Sequence, residues 1–359
     1  MTRTKILLMT VIHLISGLNG GGAEHFLLEL CNYSVKKSQN RTIVVSLSSI
    51  NTIEQKFRDG GIEYYFLHID RFRDIYKGYK RLSGIMESQK TRNGGAVIMY
   101  AHMFHACMIA CAVKFFRYRF PLIFTLQNNY VEEPYRRLLL FMTRFLRNTD
   151  IVFPGSNRKW YQKRNAVTIG NGIVSSRYVR DGNKDQLFTC IFLGRLEKQK
   201  NPLYLIELAN SLRNKYTFRI RVVGSGSLEA SLREKIKEHH LEDFFELTRF
   251  CNEPNKLLSA AHCLLLPSLW EGMPLVLLEA GAAGVPVIAT PVGAVSAIAN
   301  SSNAFIGKLV DFPRLLEEVI NNYPEAMIKS GRLRKLVVEK YDIEKIADQH
   351  ELLYRNVQR

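Results

Sequence analysis

The sequence predicts an α/β protein made of two Rossmann-like domains, each with a parallel sheet, facing a central cleft. Three observations predict it. The chain has 359 residues, more than one core usually holds. Short apolar runs of strand length alternate with helical patterns in both halves, and that alternation implies parallel sheets. Between the halves, Gly170-Asn171-Gly172 opens a polar stretch to Gln186, which reads as a turn followed by a linker.

The elements follow in order. Residues 6–16 read as a strand and 23–37 as an amphipathic helix, with Gly20-Gly21-Gly22 between them. Residues 42–47, 63–68, 96–101, 122–126, 150–154 and 167–169 read as further strands of the first half. After the linker, strands are expected at 188–193, 219–223, 244–248, 263–267, 286–289 and 304–306. Two amphipathic helices, about 324–340 and 343–357, close the chain. The expected organisation is a first domain over 1–172, a second over 173–340, and a helical segment over 341–359 able to cross back to the first. The opening Arg3-Thr4-Lys5 and apolar run have a superficial likeness to a secretion signal. No small-residue cleavage site follows, so a buried first strand is the better reading.

Composition narrows the function classes. A 47% hydrophobic content fits a folded, soluble protein. No apolar run reaches the roughly 18 residues that span a bilayer. Cys31, Cys107, Cys111, Cys190, Cys251 and Cys263 form no Cys-x-x-Cys pair. Reduced, buried cysteines of a cytoplasmic protein explain them better than a metal site. The net charge of +17 is uneven: residues 1–172 hold 25 Lys and Arg against 11 Asp and Glu. An anionic partner is therefore expected for the first half, with nucleic acid and an anionic membrane leaflet as candidates. No nucleic-acid recognition module is recognisable.

The chemistry-bearing motifs sit at predicted strand ends. Glu271 and Glu279 lie eight residues apart in the apolar segment from Pro267 to Ala280. If every step between them were helical, they would stand about 12 Å apart, too far to share one metal or proton. Two acids so placed suit different parts of one elongated ligand. Pro274 suits a first helical position, so amides of about 273–276 would point at an anion. Gly194-Arg195 follows a strand, and Lys200 is expected where a helix begins; two such cations suit a diphosphate. Gly224-Ser225-Gly226 starts like a dinucleotide fingerprint, but Glu229 stands where the third Gly belongs, so a tight turn is the simpler reading. Gly21 and Gly22 allow close backbone approach to a ligand. His102 and His105 follow the strand at 96–101, where a polar ring could hydrogen-bond a sugar or phosphate.

Together these features resemble glycosyltransferase family 4, enzymes of GT-B fold, over nearly the full length. The motifs are Gly21-Gly22-Ala23-Glu24, His102, Asn171-Gly172-Ile173, Gly194-Arg195 with Lys200, Gly224-Ser225-Gly226, and Glu271 with Glu279. The resemblance implies a retaining hexosyltransferase moving a hexose-type sugar from a nucleotide diphosphate, UDP favoured over GDP. By it, Arg195 and Lys200 bind the diphosphate and Glu279 the ribose. Glu271 faces the donor sugar, and Gly272, Met273, Pro274 and Leu275 hold sugar and phosphate through their amides. His102 contacts the donor sugar or its phosphate, and Gly21, Gly22 and Gly194 shape the site. The segment 249–252 lies near the base, although Arg249 stands where such proteins commonly carry Gly. No Asp-x-Asp occurs, in keeping with an enzyme that needs no metal or other cofactor. The implied acceptor is a lipid-linked saccharide of bacterial surface polysaccharide synthesis, lipopolysaccharide or capsule. The enzyme is expected in the cytoplasm, peripheral to the inner face of the plasma membrane, without nucleic acid. An epimerase or hydrolase on the same architecture would need an added acid/base pair near the sugar. A basic nucleic-acid-binding protein is the remaining alternative.

Overall fold

The computed structural model describes residues 9–38, 40–93, 96–128, 131–178, 184–249 and 254–358. They form two compact units. One comprises Met1–Gly172 with Ile343–Arg359, the other Ile173–Asp342.

The first unit holds strands β1 (Thr10–Ile15), β2 (Arg41–Ser46), β3 (Glu63–Phe66), β4 (Val97–His102), β5 (Leu122–Thr125), β6 (Thr149–Val152) and β7 (Val167–Thr168). Its sheet runs β3-β2-β1-β4-β5-β6-β7. The pairings are parallel, with Thr10 opposite both Arg41 and Val97. Every residue of β1 and β4 is buried, as expected of strands covered on both faces. The covering helices are α1 (Gly22–Lys37), α2 (Glu54–Asp59), α3 (Ile75–Asn93), α4 (Met103–Phe116) and α5 (Pro134–Met142).

The second unit holds β8 (Thr189–Leu193), β9 (Arg219–Val223), β10 (Phe245–Thr248), β11 (Cys263–Leu266), β12 (Val287–Ala289) and β13 (Phe305–Ile306). The order is β10-β9-β8-β11-β12-β13, again in parallel pairs. Helices α6 (Tyr204–Leu212), α7 (Glu229–Glu238), α8 (Pro254–Ala260), α9 (Leu275–Ala283), α10 (Val295–Ile298), α11 (Phe312–Asn321) and α12 (Tyr323–Lys340) complete it. A core of Phe192, Leu205, Phe218, Leu265, Phe312 and their neighbours fills one side of the sheet. Each such side chain contributes roughly 1.5–3 kcal/mol by leaving water.

The last helix, α13 (Ile343–Gln358), belongs to the first unit and packs beside α1. Tyr33 donates to Glu344 Oε1 at 3.1 Å, and the Phe26 ring lies 6.0 Å from His350. The crossing starts where Ile173 N donates to the Tyr341 carbonyl.

The strands expected from sequence are all present, with most ends trimmed or shifted by a few residues. Residues 6–8 of the first expected strand lie outside the described residues. The run 63–68 stops at Phe66 because His68 turns left-handed, at φ 56°. Of the cysteines, Cys31, Cys107, Cys111, Cys190 and Cys263 are free and buried. Among the described residues, no helix is long and apolar enough to cross a membrane.

Candidate functional site

In an open parallel sheet, ligands bind outside the carboxyl ends of the strands. In the second unit that edge carries the loops after β8, β9, β11 and β12. After β8 the chain turns through residues 197–200, with Lys200 N donating to the Glu197 carbonyl at 2.9 Å. Asn201 then takes a left-handed backbone, at φ 53°. This corrects the expected helix start at Lys200: α6 begins at Tyr204, and Lys200 lies in the turn before it. The turn sends the Lys200 side chain back over Gly194, where a Cβ would stand 3.7 Å from Lys200 Cε.

There Lys200 meets Glu271. Its Nζ lies 2.6 Å from Glu271 Oε1, in a pair with side chains only 14% and 4% exposed. Ser268 Oγ donates to the same oxygen at 2.6 Å, and Gln199 Nε2 reaches Oε2 at 3.4 Å. Gln199 also clamps the loop through its backbone and amide, bonding Leu269 N at 2.8 Å and the Trp270 carbonyl at 3.0 Å. Arg195 is exposed and donates to Gln199 Oε1 at 3.2 Å. The two expected cations and Glu271 thus belong to one hydrogen-bonded group, joined through Gln199.

Glu279 stands one turn into α9. That helix starts one residue later than expected. Pro274 is its extended N-cap rather than its first helical residue, and no side chain caps the terminus. An anion near it would be favoured by the helix dipole. Gly284, at φ 67°, ends the helix. Burial raises the Glu279 carboxyl above its ordinary value, while a hydrogen bond from Tyr178 and the charge of Lys200 pull it back. The partner that a carboxylate among Leu277, Leu278 and Ala280 requires is therefore Tyr178, from the turn at Ser175–Arg177.

The backbone of 271–272 is held from behind. Ala294 N donates to the Gly272 carbonyl at 2.8 Å, and Gly293 approaches so closely that a Cβ would lie 2.2 Å from the Glu271 carbonyl oxygen. Gly293 also sits at φ 60°, so the position requires glycine twice over. Met273 is buried at 5%. The Gly224 turn packs on the β8 loop, where a Cβ would lie 1.9 Å from the Gly194 oxygen. Ser227 joins it to Glu197, whose carboxyl is held below its usual range by those bonds.

Other expected residues stand elsewhere. Arg249 is exposed after β10, and 250–252 lie outside the described residues. In the first unit, Gly21 caps α1 and Gly22 is its first residue. His102 lies inside the fold, away from solvent. It is fully buried at the end of β4, its Nε2 3.1 Å from His13 Nδ1, and burial drives it well below its ordinary value. His105 is exposed on the first turn of α4. Among the described residues, no group of His, Cys, Asp and Glu is placed to hold a metal.

Sequence reasoning missed Ser268, Gln199, Tyr178 and Gly293. Tyr178 falls in the stretch that reads as a linker, and nothing in the sequence marks Gly293. Their neighbours to the chemistry made them discoverable only for Gln199 and Ser268.

Comparison with known proteins bears on this geometry. Residues 179–339 match the family described as glycosyl transferases group 1. A relative from Escherichia coli, UDP-Gal:alpha-D-GlcNAc-diphosphoundecaprenol alpha-1,3-galactosyltransferase, is 32% identical over 53% of this chain and 50% of its own. A Campylobacter jejuni relative, GalNAc-alpha-(1->4)-GalNAc-alpha-(1->3)-diNAcBac-PP-undecaprenol alpha-1,4-N-acetyl-D-galactosaminyltransferase, is 26% identical over 76% of each chain. The chain spans about half the length of the first of these and of an uncharacterized Haemophilus influenzae glycosyltransferase, 50% and 56%. Among solved structures, Anabaena HepE in complex with UDP superposes with a TM-score of 0.81 at 15% identity, over 97% of this chain and 100% of that one.

Proposed function

We propose that the chain is a GT-B glycosyltransferase, a retaining, metal-independent hexosyltransferase of family 4; its fold and the group 1 match over residues 179–339 support the reading. Its donor is a nucleotide-diphosphate hexose, UDP-linked before GDP-linked. Its acceptor is a hydroxyl of a lipid-linked saccharide in surface polysaccharide synthesis. The observation that carries the reading is the group formed by Lys200, Glu271, Gln199 and Arg195 at the strand ends, beside the uncapped start of α9 and Glu279.

Each residue has work to do in such a transfer. The leaving diphosphate takes up charge as the sugar C1–O bond breaks, and preorganised cations and amides stabilise it. Arg195 and Lys200 supply fixed positive charge, and the α9 N-terminus supplies N–H groups. Lys200 is paired with Glu271, so an arriving phosphate shares an ammonium already held in place. Glu271 stands near the sugar, orienting it and compensating positive charge at C1. Glu279, bonded to Tyr178, accepts from the ribose hydroxyls. The new bond forms from the acceptor oxygen to C1 on the face the diphosphate leaves, and the acceptor proton passes to the departing phosphate oxygen. An α-linked donor then gives an α-linked product.

The first unit carries the membrane side of the reading. Tyr135, Leu138, Met142, Phe145 and Trp160 are exposed among basic residues, with Arg144 stacked 4.2 Å over Phe141. Apolar and basic groups so mixed suit peripheral contact with an anionic leaflet. The two relatives named for undecaprenol-linked acceptors support that choice of acceptor. A thermal-shift screen of nucleotide-sugars tests the donor. A UDP- or GDP-sugar should raise the melting temperature, and Glu279→Ala and Lys200→Ala should each abolish the rise. No response to any nucleotide-sugar contradicts it.

A further inference from the structure

The side-chain amide of Gln199 stands between oppositely charged groups at the strand ends of the second unit. Its Oε1 accepts from Arg195 Nη2 at 3.2 Å. Its Nε2 donates to the Trp270 carbonyl at 3.0 Å and reaches Glu271 Oε2 at 3.4 Å. Its backbone carbonyl accepts from Leu269 N at 2.8 Å. One half-buried residue of the β8 loop thus bonds each residue of 269–271 in the β11 loop.

These neighbours fix the direction of the amide. A flipped amide would set its NH2 against a guanidinium and its oxygen against a carbonyl and a carboxylate. A carboxylate at 199 would satisfy Arg195 and oppose Glu271, and an ammonium would do the reverse. An amide alone accepts on one side and donates on the other. The remaining acid of the turn, Glu197, is engaged elsewhere, by Ser227 N at 2.8 Å and Ser227 Oγ at 2.6 Å.

The two oxygens of Glu271 are consequently unequal. Oε1 receives Lys200 Nζ and Ser268 Oγ, each at 2.6 Å. Ser268 is itself anchored, because Thr290 Oγ1 donates to its carbonyl at 2.6 Å. Among the described residues, Oε2 has the long contact from Gln199 and no other. A carboxylate oxygen accepts from more than one donor, so Oε2 keeps capacity for a ligand hydroxyl.

We propose that Gln199 is a positioning residue of the transfer: its amide holds Arg195 for the diphosphate and Glu271 for the sugar, with Oε2 left to accept from a hydroxyl of the donor hexose. The proposal rests on the nucleotide-sugar reading above and names the residue that joins its two halves. An exposed arginine loses side-chain freedom when it binds a ligand, and a tether already in place reduces that cost.

Calorimetry on the whole chain tests it, with UDP-glucose, UDP-galactose and UDP-N-acetylglucosamine as probes at pH 8 and pH 6. Gln199→Met keeps the length of the side chain and removes both polar ends. It should weaken the tightest-binding probe roughly tenfold at both pH values, the loss expected for hydrogen bonds to charged groups. Gln199→Glu keeps the acceptor for Arg195 but sets a second carboxylate against Glu271. It should bind at least about tenfold more weakly at pH 8 and recover to within about threefold of the parent at pH 6, because two crowded carboxylates raise one another until one holds a proton and can donate. The parent should bind alike at the two pH values, and both free variants should melt within a few degrees of it. A Gln199→Met that binds as the parent does, or a Gln199→Glu whose loss is the same at both pH values, overturns the proposal and leaves the nucleotide-sugar reading standing. A parent that binds none of the probes removes that reading and the proposal with it.

Discussion

Glu271 in the second unit and His350 in the first are both almost wholly buried, but their surroundings differ in kind. Glu271 is charged beside Lys200, with Ser268 and Gln199 also directed at its oxygens. His350 lies against Tyr100, Tyr354 and Phe26, and neither ring nitrogen finds a hydrogen-bond partner. With His13 and His102 it forms a buried group drawn from β1, β4 and α13. Burial lowers the proton affinity of all three; His350 lowers that of His13 and His102 further, His13 that of His102, and Glu351 acts on neighbouring Tyr354. No carboxylate pulls any of the three upward. The second unit keeps a compensated charge at the surface of its sheet edge, ready to be shared with a ligand. The first uses neutral imidazoles as packing for its last helix. A buried polar side chain is thus a sign of chemistry only when its charge is kept and paired.

That contrast can be broken from either side. The largest effect is expected from acid. His13 and His350 are pushed down to about 3 from an ordinary 6.5, so both are neutral in the fold. The unfolded chain binds more protons below about pH 6.5, so their contribution is whole above that pH and is lost as pH falls toward 3. Near pH 5 the pair should cost about 4 kcal/mol. Denaturant titrations between pH 7.5 and 5 should show it, and His350→Leu should flatten the slope. A stability that does not change across that range contradicts the account of the cluster.

Cutting the compensated pair comes next. Lys200→Met leaves the Glu271 carboxylate buried without its cation and should cost about 3 kcal/mol. Adding Glu271→Gln should recover most of it. If the single variant is as stable as the parent in denaturant, the pair is not the joint described. Gly293→Ala should follow, at about 2 kcal/mol, because a Cβ meets the Glu271 carbonyl in a left-handed backbone. Its nucleotide-sugar affinity should fall as well, since the 271–272 backbone must move. Tyr178→Phe is the mildest. Removing its hydroxyl should cost about 1 kcal/mol and raise the Glu279 carboxyl further, readable by carboxyl NMR titration.

Strand positions were legible because parallel strands buried on both faces are short unbroken apolar runs, as in Cys263–Leu266. The helix starts were less so. Asn201 and Pro274 each shifted an expected start, through a left-handed residue in one case and an extended cap in the other. Glu271, Lys200 and Arg195 stood out as charges at strand ends. The Tyr178 bond to Glu279 joins residues remote in sequence, and no periodicity announces it. The same is true of His13 with His102 and His350.

The central claim is that the second unit holds a nucleotide diphosphate-sugar through Lys200 and Glu279. Calorimetric titration of the parent chain and of Glu279→Gln with UDP and UDP-hexoses tests it most directly. The substitution keeps shape and removes a buried charge, so the free protein should melt at the same temperature or higher. The account predicts that the parent binds and that the variant binds at least tenfold more weakly. A variant that binds as the parent does, or a parent that binds no UDP- or GDP-sugar, contradicts it.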